Sequence, residues 1–333
     1  MRNQAFAYIK PHAMSSQAVV SAIGTIFENA GVRVSEMRRI DAAELMQKGY
    51  FDRQNGMTAR FSLLDDPLDF APYAQSFADA FGEDWNAVCA ENRFIPSGRA
   101  ANKLNLDPDD LLLYWCFAGS IQFADGLFIG RFDLDELEER IHPKDEACDC
   151  GHQDHGHDCH DHGHDCHCHR HHPLKPVYVV NGFYPAQRQP YRNPSGAGVQ
   201  TFLLDFDCDW SEFNDVIIGD EDPAGALEES IRGFLYDRSN ALNFRIDRFD
   251  NILYASKSPF EALCDKYCWD ATRKTDPLWK LLSDAKAFPM RKLGPALLNL
   301  RNDEAFCASV LGLDSQQTLE LLLKALDTSD KQL

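Results

Sequence analysis

No stretch of this chain is apolar over anything near the roughly 18 residues that a membrane-spanning helix needs, so a transmembrane segment is not expected. The opening residues, Met-Arg-Asn-Gln-Ala-Phe-Ala-Tyr-Ile-Lys, lack the charged-then-apolar layout of a secretory signal, which makes a cytoplasmic location the expectation. Positive charge is scarce. Against 52 Asp and Glu stand 33 Lys and Arg, leaving a formal charge of −19. That balance argues against nucleic acid or an anionic membrane surface as partner. It does not exclude a small nucleotide, which responds to the local field. No Cys-x-x-Cys pair occurs, which counts against a structural zinc ribbon. Cys89, Cys116, Cys208, Cys264, Cys268 and Cys307 are scattered through mostly apolar-periodic segments. In a reducing compartment they read as small buried hydrophobes. Histidine is nearly missing from most of the chain: only His12 and His142 lie outside one short tract, and none follows His172.

That tract runs from Cys148 to His172 and holds ten of the twelve histidines and five of the eleven cysteines. At its centre Asp-His-Gly-His-Asp-Cys-His, residues 154–160, is repeated at once as residues 161–167. Such residues cannot bury apolar surface, so the tract builds no core. Imidazole and thiolate are, however, the ligand set for zinc and for the softer transition metals, which makes Zn2+, Ni2+ or copper the expected cargo. The candidate ligands are Cys148, Cys150, His152, His155, His157, Cys159, His160, His162, His164, Cys166, His167, Cys168, His169, His171 and His172. Their spacing is too short and uniform for one rigid finger and suits several sites that share ligands. The bland alternative is a solvated loop that meets metal incidentally.

With 333 residues and 44% apolar content, the chain is long enough for two domains or for one interrupted by insertions. Residues 5–9 read as a buried strand closed by Lys10-Pro11-His12. Ser15 or Ser16 caps a helix to about residue 29, with Val19, Val20, Ile23, Ile26 and Phe27 on one face, and Gly31 stands at its C-cap. A strand over 32–40 follows, then a helix capped by Asp41 that reaches Tyr50 and Phe51. Residues 55–117 read as helical, most clearly at 69–81 and 107–117. Residues 126–132 and 176–181 form an expected strand pair with the His/Cys tract in the connection between them. Residues 199–206 are a strand, 251–254 are strand-like, and Ser258-Pro259 opens a helix with a serine cap and proline at the first position. From Leu278 onward only amphipathic helices are expected.

In this order the segments resemble the nucleoside diphosphate kinases. Ala-Tyr-Ile-Lys10-Pro-His-Ala is similar to the first strand and lysine turn of that family, and Tyr50 to its phosphate-contacting tyrosine. Phe183 is similar to the aromatic on which the base stacks. Gly219 through Pro223, then Ser230-Ile-Arg232-Gly, resembles the glycine–proline loop and its phosphate-binding arginine. Asn251-Ile-Leu-Tyr254-Ala-Ser256-Lys257 resembles the strand that carries the catalytic histidine. The resemblance implies an α+β fold with a ferredoxin-like βαββαβ sheet, split as 1–54 and 176–272. A mostly helical insertion would occupy 55–175, and a helical extension 273–333. It implies nucleotide contacts at Lys10, Tyr50, Phe183, Arg232, Asn251 and Ser256, with Mg2+ accompanying the nucleotide, and a possible homo-oligomer.

The family's reaction parks a phosphoryl group on a histidine and hands it to a diphosphate, which requires a nitrogen nucleophile near neutral pKa. Here that position is Tyr254, whose phenol ordinarily titrates at about 10. Asp215 stands where a phosphate-binding arginine is implied, Glu221 where a threonine is, and Lys257 where an acid is. His12 lies in the lysine turn and is a weak substitute nucleophile. Three readings therefore compete: a nucleotide-binding module that has lost transfer, an active divergent kinase, and a metal buffer or chaperone on a folded carrier.

Overall fold

The computed structural model describes residues 2–64, 66–142, 175–242, 246–247, 251–286 and 288–330. The tract 148–172, with every candidate metal ligand, lies outside the described residues. The chain divides into two compact units, Met1–Arg60 with Ala186–Leu333, and Phe61–Pro185. Among the described residues there are eight strands: β1 (Asn3–Ile9), β2 (Arg33–Ile40), β3 (Phe94–Pro96), β4 (Ile121–Ala124), β5 (Leu127–Phe132), β6 (Val177–Val180), β7 (Val199–Phe206) and β8 (Leu253–Ala255). No helix among them is long and apolar enough to cross a membrane.

In the first unit the strand order is β2-β7-β1-β8, and every neighbouring pair is antiparallel. The helix Gln17–Asn29 links β1 to β2, and Ile231–Asp237 lies between β7 and β8. Two β-α-β crossovers therefore interleave, each leaving a gap that a strand of the other fills. β1 is buried along its whole length. Because successive strand side chains face opposite ways, it feeds two cores. Ala5, Ala7 and Ile9 meet Val19, Ile23 and Phe27 of the first helix and Ile231 and Leu235 of the other. Phe6 and Tyr8 meet Leu203, Tyr50 and Trp269 on the opposite side. Burying each of Val19, Ile23 and Phe27 contributes about 1.5–3 kcal/mol.

The local signals for these elements hold in detail. Ser16 caps the first helix through Val19 N at 3.4 Å, and Gly31 follows it with φ +71°. Asp41 caps the next helix through Glu44 N at 2.8 Å. That helix ends sooner than the periodicity predicts. Gly49 turns left-handed at φ +60°, dividing it into Ala42–Lys48 and Tyr50–Gln54. Ser258 accepts from Glu261 N at 3.1 Å and Pro259 opens the helix Pro259–Cys268, as the Ser-Pro pattern predicts. This helix lays Cys268 against the β1 side, while Phe260, Leu263 and Cys264 enter a third core. That core is completed by Leu278 and Leu282 of Pro277–Ala285, Leu293 and Leu297 of Met290–Leu300, and Leu322 of Ser315–Asp330. The C-terminal helices are thus fastened to the sheet through one shared helix.

The second unit is mostly helical, and the strand pair expected from 126–132 and 176–181 is extended by β3 and β4 into a sheet in the order β3-β6-β5-β4. β5 and β6 pair antiparallel, with Ile129 opposite Val180, and β3 joins β6 in parallel. β3 and β4 span three and four residues, too short for alternation to register. The helix expected at 107–117 is Pro108–Ala118, and Asp107 caps it. The expected helix at 69–81 is instead a 3-10 segment, Pro67–Tyr73, followed by Ala74–Phe81. Pro72, which has no amide hydrogen to donate, sits at the junction. Of the cysteines, Cys264 and Cys268 are buried as expected, whereas Cys116 is exposed.

Candidate functional site

β8 is the edge strand on which most of the singled-out residues of the first unit converge. Tyr254, at its centre, lies opposite Tyr8 in the register and stacks on that ring at 5.0 Å. The residue is half-buried, but its hydroxyl end is enclosed. The hydroxyl donates toward Glu261 Oε1 and Asp265 Oδ2, each 2.8 Å away. These two carboxylates stand four residues apart on one face of Pro259–Cys268, whose serine cap aims Glu261 back at the strand. The other Glu261 oxygen accepts Lys257 N at 2.7 Å. Asp265 is fully buried, and its Oδ1 accepts Gln54 Nε2 at 3.0 Å and Arg301 Nη1 at 2.7 Å. Arg301 comes from the C-terminal helices.

The charges here do not balance one for one. Burial and the neighbouring Glu261 raise the Asp265 carboxyl to about 6, against the pull of Arg301 and the Tyr254 hydrogen bond. Burial, followed by Asp265 and Glu261, pushes the Tyr254 hydroxyl well above its ordinary value. Burial works against the Arg301 charge, but Asp265, Tyr254 and Glu261 outweigh it. Ionising Tyr254 would bring a third negative charge beside two carboxylates. Such a phenol is held as a hydrogen-bond donor.

Arg232 flanks the other side of β8. Buried in Ile231–Asp237, it donates Nη1 to Gly219 O at 2.9 Å and Nη2 to Leu253 O at 3.1 Å. Its buried Nε has no hydrogen-bond partner among the described residues. Burial lowers its pKa, opposed by Glu221 and Asp220. Asn251 Nδ2 donates to Glu221 O at 3.1 Å and so ties the loop to the start of the strand. Glu221 and Lys257, two of the departures from the family pattern, form an ion pair at 2.5 Å. Lys257 stands where the resemblance implies an acid and Glu221 where it implies a threonine, and the two charges compensate one another. Asp215, the third departure, is exposed.

The remaining singled-out residues divide. Lys10 is half-buried just beyond β1, and its amide donates to Ile252 O at 2.9 Å. His12 is half-buried in the 3-10 turn Pro11–Ser15. Tyr50 stacks on Trp269 at 5.2 Å and donates to Glu44 at 2.6 Å. Its pKa is pushed up to about 12 by burial and Glu44. Ser256 is fully buried, accepting Phe6 N at 2.9 Å and donating to Phe6 O at 2.8 Å, which makes it a staple between β8 and β1. Phe183 belongs to the second unit, where it packs edge-to-face on Trp115 at 5.7 Å and Phe128 at 6.2 Å. Among the described residues no group of three His, Cys, Asp or Glu side chains is arranged to hold a metal ion.

Asp265, Glu261, Arg301 and Gln54 are the members of the site that sequence reasoning missed. One signal was present: two carboxylates at i and i+4 repel one another on a helix, which flags Glu261 and Asp265 as a pair in need of a partner. Nothing local points to Arg301.

No family model matches the chain, and no curated protein does. Among solved structures it is similar to the crystal structure of an NDP kinase from Pyrobaculum aerophilum, at 14% identity over 82% of this chain and 97% of that one, with a TM-score of 0.33. A superposition this loose decides neither fold nor activity. The strand order and the side-chain contacts described above stand on this molecule alone.

Proposed function

We propose that this protein is a nucleoside diphosphate kinase-like module, built on a ferredoxin-like βαββαβ core, that binds a nucleoside di- or triphosphate without transferring phosphate. The observation that carries this reading is the Tyr254 hydroxyl, enclosed by Glu261 and Asp265 at 2.8 Å each. A phosphoryl carrier needs an accessible nucleophile and positive groups around the transferring phosphate. Here the nucleophile position is engaged in the core, and two carboxylates stand where an incoming phosphate would need cations. Binding is supported by Arg232, a guanidinium whose buried Nε donor has no partner among the described residues and is reached once the atoms covering it move. An anion approaching that nitrogen gains a charge-assisted hydrogen bond. Lys10 and Asn251 are the further contacts proposed, with Mg2+ accompanying the phosphates. Tyr50, Phe183 and Ser256 are engaged elsewhere and would have to change partners to join them.

The tract 148–172 supports a second role, holding transition-metal ions of the zinc, nickel or copper class. The tandem repeat of residues 154–167 favours it, since each copy offers imidazole and thiolate within seven residues. When bound, such an ion would bridge ligands that have no apolar pattern of their own.

Incubation with ATP labelled at the γ-phosphate tests the loss of transfer, and no label on the protein is expected. Acid-labile label that vanishes in His12→Ala would establish an active divergent kinase instead. Calorimetry with ADP and ATP tests binding, with Lys10→Ala and Arg232→Gln expected to weaken it. Circular dichroism on both variants separates lost contact from lost fold. Absence of nucleotide binding by the intact chain overturns the reading and leaves metal storage as the function.

A further inference from the structure

The second unit contains a cleft of ≈ 630 Å3 between β3, the helix Ser97–Leu104, and residues 66 and 67. Its apolar wall is Phe94, Ile95 and Pro96, three consecutive residues of the strand. Successive strand side chains face opposite ways, so a cleft that meets all three runs along the edge of the strand and not over one face. Among the described residues that edge is open, because β3 has a neighbour, β6, on one side only. Arg93 O accepts Tyr178 N at 2.7 Å, toward β6. Ladder groups alternate between the two edges along a strand, which turns the Phe94 amide and carbonyl toward the cleft.

Opposite stand two cations, Arg99 and Lys103, against a single acid in the lining, Asp66. Arg99 and Lys103 stand one helical turn apart and both line the cleft, with Asn102 beside them. Like charges at this spacing repel and cost helix stability. Burial and then Arg99 lower the Lys103 pKa, as two cations held close together require. Lys103 Nζ donates to Asn92 O at the rim. In a chain of net charge −19, this is a local basic spot facing an apolar wall. The volume lies within the roughly 300–1,000 Å3 typical of small-molecule sites.

We infer that this cleft binds a small organic anion, a phosphate monoester or carboxylate that carries a flat apolar group. The anion meets Arg99 and Lys103, the apolar group lies along Phe94–Pro96, and the Phe94 amide offers a hydrogen bond. An added peptide strand fits less well, because β3 is three residues long and Pro96 has no N–H to continue the ladder. The site is separate from the nucleotide reading, which concerns the first unit.

Calorimetric titration of the full chain with phenyl phosphate, benzoate, inorganic phosphate and phenol tests the assignment. Both aryl anions are expected to bind more tightly than inorganic phosphate or phenol. Arg99→Ala with Lys103→Ala weakens phenyl phosphate by about tenfold or more, as loss of charge-assisted contacts predicts. Arg131→Ala, which removes a cation of the same unit outside the cleft lining, leaves it unchanged. In the unsubstituted chain, phenyl phosphate also slows alkylation of Cys89, which lines the cleft, and not of the exposed Cys116. The assignment is overturned if neither aryl anion binds or protects Cys89. It is equally overturned if affinity ignores Arg99 and Lys103, or if inorganic phosphate binds as tightly as phenyl phosphate.

Discussion

Arg301 donates to Asp265 at 2.7 Å, an ion-paired hydrogen bond between residues 36 positions apart. Asp265 is fully buried and Arg301 nearly so. The C-terminal helices therefore supply the counter-charge to an acid on the helix that backs β1. Removing one partner of a buried pair strands the other in a medium of low dielectric, at a cost of about 3–5 kcal/mol. Arg301→Met is expected to lose stability on that scale in urea denaturation, and Asp265→Asn in the same chain to recover part of it. A loss below about 1 kcal/mol would mean that the pair is solvated and contributes as a surface contact does.

The same acid gives a pH signature of unusual sign. Its carboxyl is raised from 3.8 to about 6, first by burial and then by Glu261, against Arg301. A carboxyl with a higher pKa folded than unfolded holds more protons in the folded state across that window. Its contribution to stability therefore falls as pH rises from 3.8 to about 6. The stability of the native chain minus that of Asp265→Asn should decrease through this range, measured by denaturation at each pH. A difference that stays flat or grows excludes a raised Asp265.

Under the proposed function, Tyr254→His supplies an imidazole at the nucleophile position without changing its surroundings. The imidazole would still face Glu261, Asp265 and Arg301 from the positions that now hold the phenol. No acid-labile label from γ-phosphate-labelled ATP is expected on this variant. Labelling above the background of the native chain would show that the nucleophile alone had been missing.

Ser256→Ala removes a hydroxyl that both accepts Phe6 N and donates to Phe6 O. The Phe6 amide is left buried without that acceptor, at about 1–3 kcal/mol. Hydrogen exchange should accelerate at Phe6, and the denaturation midpoint should drop. Unchanged exchange there would mean that water replaces the hydroxyl.

Deleting residues 148–172 from the full chain should abolish most of the transition metal it retains after equilibration with zinc and desalting. The tract offers no apolar side chain besides cysteine to any core, so the folded baseline and melting of the first unit should persist. Undiminished metal content after deletion would remove the tract from metal binding altogether.

Much of the architecture is written locally. The Ser16 and Asp41 caps, the Val19–Ile23–Phe27 face, the strand Val199–Phe206 and the Ser258-Pro259 helix start each depend on residues within one or two turns, and each is found where the pattern predicts. β3 and β4 are too short to carry a period, and Gly49 breaks a helix whose apolar pattern runs on past it. Tyr254 and the absence of any later histidine were equally legible, because they are matters of residue identity.

What surrounds Tyr254 is not local. Tyr8, Gln54, Asp265 and Arg301 reach its neighbourhood from four separate segments, brought together by the order β2-β7-β1-β8 and by the core that the helix Pro259–Cys268 shares with the C-terminal helices. Sequence by itself determined the long capped helices and strands, and that position 254 carries a phenol with no histidine after residue 172. Only the tertiary structure decided that Glu221 would pair with Lys257, that Ser256 would staple β8 to β1, and that Arg301 would balance Asp265. Pairings of this kind depend on burial and on distances across the fold, and neither is a property of neighbouring residues along a chain.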